Sequence, residues 1–83
     1  MRLSLYQEVA LNRDFPEHNL RRGDLAVLVD CVDHPEGGEE GAVLEAFSAR
    51  GETLCVIAVP ASSVEGLRAE DVLSVRRLAE VQG

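Results

Sequence analysis

The chain has no lysine and no tryptophan, only three aromatic residues (Tyr6, Phe15, Phe47), and eight arginines against fifteen acidic side chains. At a net charge of −7 it gains nothing from counterion release at a phosphate backbone, and an anionic membrane surface repels it. Nucleic acid and membrane are therefore not expected partners. The scarcity of aromatics removes the stacking platforms that single-strand recognition needs. It also leaves core volume to Val, Leu, Ile and Ala, residues suited to strands. Long apolar runs are missing too. The longest, Leu54–Val59, stops at Pro60, far short of the roughly 20 residues of a membrane span. Gln7 and Glu8 break the apolar character after Met1-Arg2, so no signal-peptide core is read and a cytoplasmic protein is expected.

The chemical motifs are equally sparse. Cys31 and Cys55 form no C-x-x-C, and each lies in an apolar strand-like run. They read as buried free thiols, although their number alone permits a disulfide. Cys31, His34, Cys55 and Asp33 could be offered as zinc ligands. Cys31 and His34 stand three positions apart, however, so on a strand they point to opposite faces unless the chain bends at Asp33. Asp30, Asp33 and Glu36 recur every third residue, which is not the alternate-position spacing of a calcium loop. Gly37-Gly38 stands in neither phosphate-loop pattern and joins two strands, so it reads as a turn needing positive φ. Ser62 or Ser63 with His18 or His34 could be assembled into a nucleophilic site, but no G-x-S-x-G is present. A domain this small has little room for a substrate pocket of about 300 Å³. No catalytic residue, metal ligand or cofactor site is assigned.

What is present is a pattern of short strands in one domain spanning residues 1–83. Leu3–Leu11 carries Leu3, Leu5, Val9 and Leu11 at period two, the mark of a half-buried strand. Phe15-Pro16-Glu17-His18-Asn19 is turn-rich, with Phe15 and Leu20 expected to plug one end of the core. Arg22-Gly23-Asp24 turns into a second strand over Asp24–Val32. A third covers Gly41–Ser48, and Ala49–Glu52 is a hairpin turn with Gly51 free to take positive φ. The fourth, Thr53–Val59, is apolar without alternation, as if buried on both faces. Ser62-x-x-Glu65 has capping-box spacing and predicts one helical turn around Ser63–Leu67. Val72–Leu78 is read as the last strand, and Ala79–Gly83 as a fraying end. His34 is expected on the surface, with Pro35 starting its turn. The architecture expected is a mainly β, five-stranded antiparallel SH3-like barrel or roll with a short helical turn before the last strand. A compact five-stranded sheet is the alternative.

Six carboxylates and no cation fall between Asp30 and Glu45, a run that reads first as a solvated loop. The sets Arg21-Arg22-Gly23-Asp24, Leu28-Val29-Asp30, His34-Pro35-x-Gly37-Gly38-x-Glu40-Gly41 and Val43-Leu44-Glu45-x-Phe47 resemble an uncharacterised bacterial family. So do Gly51-Glu52-Thr53, Val59-Pro60 and Val72–Arg76. It is a domain-of-unknown-function family of short SH3-like proteins, and the similarity runs nearly the whole chain. The resemblance implies a fold and no reaction, and a toxin–antitoxin or immunity-type pairing with a neighbouring gene. The aromatic groove by which SH3-like barrels hold proline-rich peptides has too few aromatics here.

The functional expectation is a non-enzymatic protein-binding module. Cys55, Ile57 and Val59 of the fourth strand would give apolar contact, and Asp33, Glu36, Glu39 and Glu40 would steer a basic partner. The alternatives are a homo-oligomer that consumes the same apolar surface, and a small metal-dependent enzyme.

Overall fold

The computed structural model describes residues 3–33 and 36–77. Strands β1 (Glu8–Leu11), β2 (Leu25–Val32), β3 (Gly41–Phe47), β4 (Thr53–Pro60) and β5 (Val64–Gly66) form one antiparallel sheet in the order β4-β3-β2-β1-β5. Two 3₁₀ turns, Pro16–His18 and Ala61–Ser63, interrupt the connections. Among the described residues no helix is long and apolar enough to cross a membrane. The sheet is not closed.

The two edge strands are nonetheless joined by only the three residues Ala61–Ser63. In a flat five-stranded sheet they would lie about 19 Å apart. A 3₁₀ link of this length advances roughly 8 Å, so the sheet must curl. The concave side holds the core: Val9, Leu11, Ala26, Leu28, Ala42, Leu44, Ala46, Ile57, Val59 and Val64. Phe15 and Leu20 pair across the β1–β2 connection and complete it, as expected.

Two irregularities set which side chains point inward. A register shift in β2 between Leu28 and Asp30 makes Val29 an extra residue. The inward positions change there from even (Ala26, Leu28) to odd (Cys31), and Asp30 turns out to solvent. A second shift separates Ala46↔Cys55 from Phe47↔Thr53 and makes Leu54 the extra residue of β4.

The central hairpins lie where the sequence places them. Gly51 takes φ +84° between β3 and β4, and Gly23 takes φ +92° in the turn before β2. The two ends differ. Tyr6 sits at φ 66° in a turn where the Gln7 N–H donates to Ser4 O, so β1 begins at Glu8 and not at Leu3. The predicted helical turn is displaced to Ala61–Ser63, and Val64–Gly66 is strand. The capping box does not form. The Ser62 N–H donates to Glu39 Oε2 at 2.6 Å, and Ser63 Oγ accepts from Arg13 Nε at 2.9 Å. Tertiary partners have replaced the local cap. Val72–Arg77 is not a strand, because β5 occupies the free side of β1 (Leu11↔Val64, Ala10↔Glu65, Val9↔Gly66). The expectations for His34, Pro35, Leu78 and Ala79–Gly83 lie outside the described residues.

Candidate interaction face

The convex side of the sheet carries most of its uncovered apolar surface. Leu25 and Val27 of β2 and Val43 of β3 are half-buried there. Towards the β4 edge Phe47 (41% exposed), Leu54 (45%) and Val56 (58%) open to solvent, together with Ala58. This resolves the unbroken apolar run of the fourth strand. Its inward residues fill the core, and its outward ones stay open, Val56 and Ala58 to solvent and Leu54 to the groove beneath the C-terminal segment.

Three of the residues expected at a partner surface are corrected by this placement. Ile57 is 6% exposed and Val59 is buried, both within the core. Cys55 is half-buried and packs against the same cluster. They point inward because Cys55, Ile57 and Val59 lie opposite Ala46, Leu44 and Ala42, the buried side of β3. The outward set is Leu54, Val56 and Ala58. Glu45, the only charged residue of β3, marks the open side of that strand in the sequence. The extra residue at Leu54 breaks the simple alternation that would have carried the assignment into β4.

Charge around this face has one predominant sign. No arginine occurs in any strand, and the charged strand residues are Glu8, Asp30, Glu45 and Glu65. Glu45 lies opposite Val56 and accepts the Thr53 hydroxyl at 2.6 Å. Asp33, Glu36 and Glu39 are exposed in the β2–β3 connection, and Glu40 is half-buried. Part of this acidic segment is held in place. Hydrogen bonds from the Ser62 side chain and backbone N–H keep the Glu39 carboxyl below its ordinary pKa, and the Ala61 N–H donates to Glu40 O at 2.9 Å. Glu39 and Glu40 thus border one end of β4, with Glu45 and Glu52 near the other.

A groove of about 770 Å³ runs over the other half of the convex side, between Leu25, Val27, Phe47 and Leu54 below and Leu73 of the C-terminal segment. The sequence had suggested no room for such a hollow. It arises because the tail, unpaired with any strand, lies across the sheet. Arg76 fixes the tail. Its Nε donates to Asp24 Oδ1 at 2.9 Å, its Nη2 donates to Asp24 Oδ2 and, at 3.1 Å, to Asn19 O. Partial burial raises the Asp24 pKa. The Arg76 hydrogen bonds, the Arg21 N–H and the charges of both arginines outweigh it and hold the carboxyl below its ordinary value. The same contact raises the pKa of Arg76. Before this clamp, Val72 and Val75 are almost wholly exposed.

The other chemical candidates are dispersed. Cys31 and Cys55 are not in a disulfide and lie opposite Ala42 and Ala46, at different ends of β3. Burial pushes the Cys55 thiol up. Ser62 and Ser63 both accept from Arg13, while His18 lies against the Phe15 ring with centroids 6.4 Å apart. Among the described residues no three His, Cys, Asp or Glu side chains are grouped to hold a metal ion. Comparison with protein-family models, curated proteins and solved structures finds no match to this chain.

Proposed function

We infer that the protein is a non-enzymatic protein-binding module whose convex sheet face receives its partner. The observation that carries this reading is the uncovered cluster Phe47, Leu54, Val56 and Ala58. Contiguous exposed apolar surface with a polar rim marks an interaction site. An SH3-like roll is the architecture in which we place it. The strand order, the curl and the 3₁₀ turn before the short last strand support that placement. The sequence resemblance to short bacterial SH3-like proteins gives the biological form of the proposal, an antitoxin- or immunity-like partner of a neighbouring gene's product.

Light scattering on a sizing column, combined with binding of an apolar fluorescent dye, tests the reading. A monomer that binds dye, and loses that binding in Phe47→Ser and Val56→Thr, supports an open face for a different protein. A dimer or larger species that binds no dye assigns the face to self-association instead. A monomer that binds no dye refutes the proposal.

A further inference from the structure

The two edges of the sheet are unequal. β5 is three residues long and carries Glu65, whereas β4 is eight residues long and has no charged side chain. Soluble proteins blunt their edge strands with charge, proline or shortness. β5 is protected in this way, whereas β4 is protected only towards its two ends, by the extra residue at Leu54 and by Pro60, which leaves Cys55–Val59 between them.

The phase of the β3–β4 ladder shows which backbone groups are open. The Ala61 N–H donates to Glu40 O, one step beyond the Gly41↔Pro60 pair. Bonded and non-bonded pairs alternate along an antiparallel ladder. Val59, Ile57 and Cys55 therefore bond to β3, and the N–H and C=O groups of Val56 and Ala58 point to the edge that no described strand occupies. Pro60 falls in the same phase, so its missing N–H costs the ladder nothing. The residues with open backbone are those with exposed side chains. Edge and face form one continuous surface.

Resting on the protein-binding reading above, we propose that the partner adds an extended segment to β4 as a sixth strand, and that this segment is apolar with Lys or Arg at its ends. The apolar character is set by Leu54, Val56 and Ala58 on the convex side and by the rim of the core at Cys55 on the other. The basic ends are set by Glu45 and Glu52 at the start of β4 and by Glu39 beyond Pro60, against Arg50 in the adjoining β3–β4 turn and Arg13 beside Ser62 and Ser63. Backbone pairing supplies the affinity in this mode, and alternate side chains with end charges supply the choice of partner. A second copy fits less well, because it brings the same carboxylates and another −7 of charge.

Amide hydrogen exchange of the full chain, with a capped seven-residue peptide of alternating valine and threonine between terminal arginines, tests this. The expected result is a slowing of about tenfold or more at the Val56 and Ala58 amides on saturation. A peptide ending in glutamates should have no such effect, and about 0.5 M salt should weaken the arginine peptide. Ala58→Pro removes one open N–H without touching the β3 bonds and should abolish the slowing at Val56. No slowing, equal slowing by the glutamate peptide, or slowing that survives Ala58→Pro overturns the proposal. So does protection of these amides in the protein alone that grows with its concentration, since the edge is then taken by another copy. If dye binding still responds to Phe47→Ser while the peptide fails, only the added strand is refuted. If neither dye nor peptide binds, the face itself is refuted.

Discussion

The inward and outward phases of β4 can be separated by two truncations at neighbouring positions, Ile57→Ala and Val56→Ala. Ile57 is 6% exposed and lies opposite Leu44, in the middle of the core, while Val56 is 58% exposed and opposite Glu45. Removing a buried isoleucine to alanine forfeits its transfer energy and leaves a cavity, together about 2–5 kcal/mol. Val56→Ala loses little more than strand preference, under about 1 kcal/mol. A domain of this size has a total stability of roughly 4–12 kcal/mol, so the first change removes a large share and the second does not. Each kcal/mol moves the melting midpoint by about 4–8 °C in domains of this length. Ile57→Ala should therefore melt roughly 10–30 °C lower, and Val56→Ala should stay within a few degrees of the parent. Urea unfolding with matched m-values checks that both report native stability. Equal losses, or a larger loss at Val56, would refute the register on which the face and the open edge both depend.

Four further outcomes follow from named contacts and backbone geometry. Asp24→Asn should free Arg76 and expose the segment after Asp71 to limited proteolysis, at a stability cost of only about 1 kcal/mol because the pair is partly solvated. The Asp24 carboxyl has a lowered pKa in the folded chain, so its contribution is complete above the unfolded value of about 3.9 and is lost as pH falls through the folded one. The tail should accordingly loosen below about pH 4 and show no change between about pH 5 and 8, by proton-detected NMR of Val72–Arg77. Burial raises the Cys55 thiol pKa, so iodoacetamide should alkylate Cys55 more slowly in the folded protein than in urea at the same pH; equal rates would contradict its packing. Gly51 at φ +84° should tolerate Asn, whereas Gly51→Val should cost about 1–3 kcal/mol by thermal melting.

Strands β2, β3 and β4 were legible because each has strong local signals: β-branched and aliphatic runs bounded by Arg22-Gly23-Asp24, Gly37-Gly38 and Ala49–Glu52. The assignment of the last strand failed for a reason local pattern cannot supply. Val64–Gly66 and Val72–Arg77 both have extended character, and β1 has one free side. Only the short link from β4 decides that the nearer segment takes it. The failed capping box is similar. Ser62, Ser63 and Glu65 have the right spacing, but Glu39 and Arg13, distant in sequence, bind the groups a helix would have used.

The sequence by itself determined a mainly β, antiparallel chain, an acidic segment from Asp30 to Glu45, and an apolar fourth strand needing cover on two sides. Those properties reside in composition and in runs of adjacent residues. The tertiary structure alone decided that Ile57 and Val59 face the core while Leu54, Val56 and Ala58 face outward. It also decided that Arg76 pins the tail to Asp24 and that no described strand pairs with the far edge of β4. Two extra residues, Val29 and Leu54, reset the alternation of side chains, and strand order fixes which backbone groups find partners. Neither effect can be read from nearest neighbours in the chain.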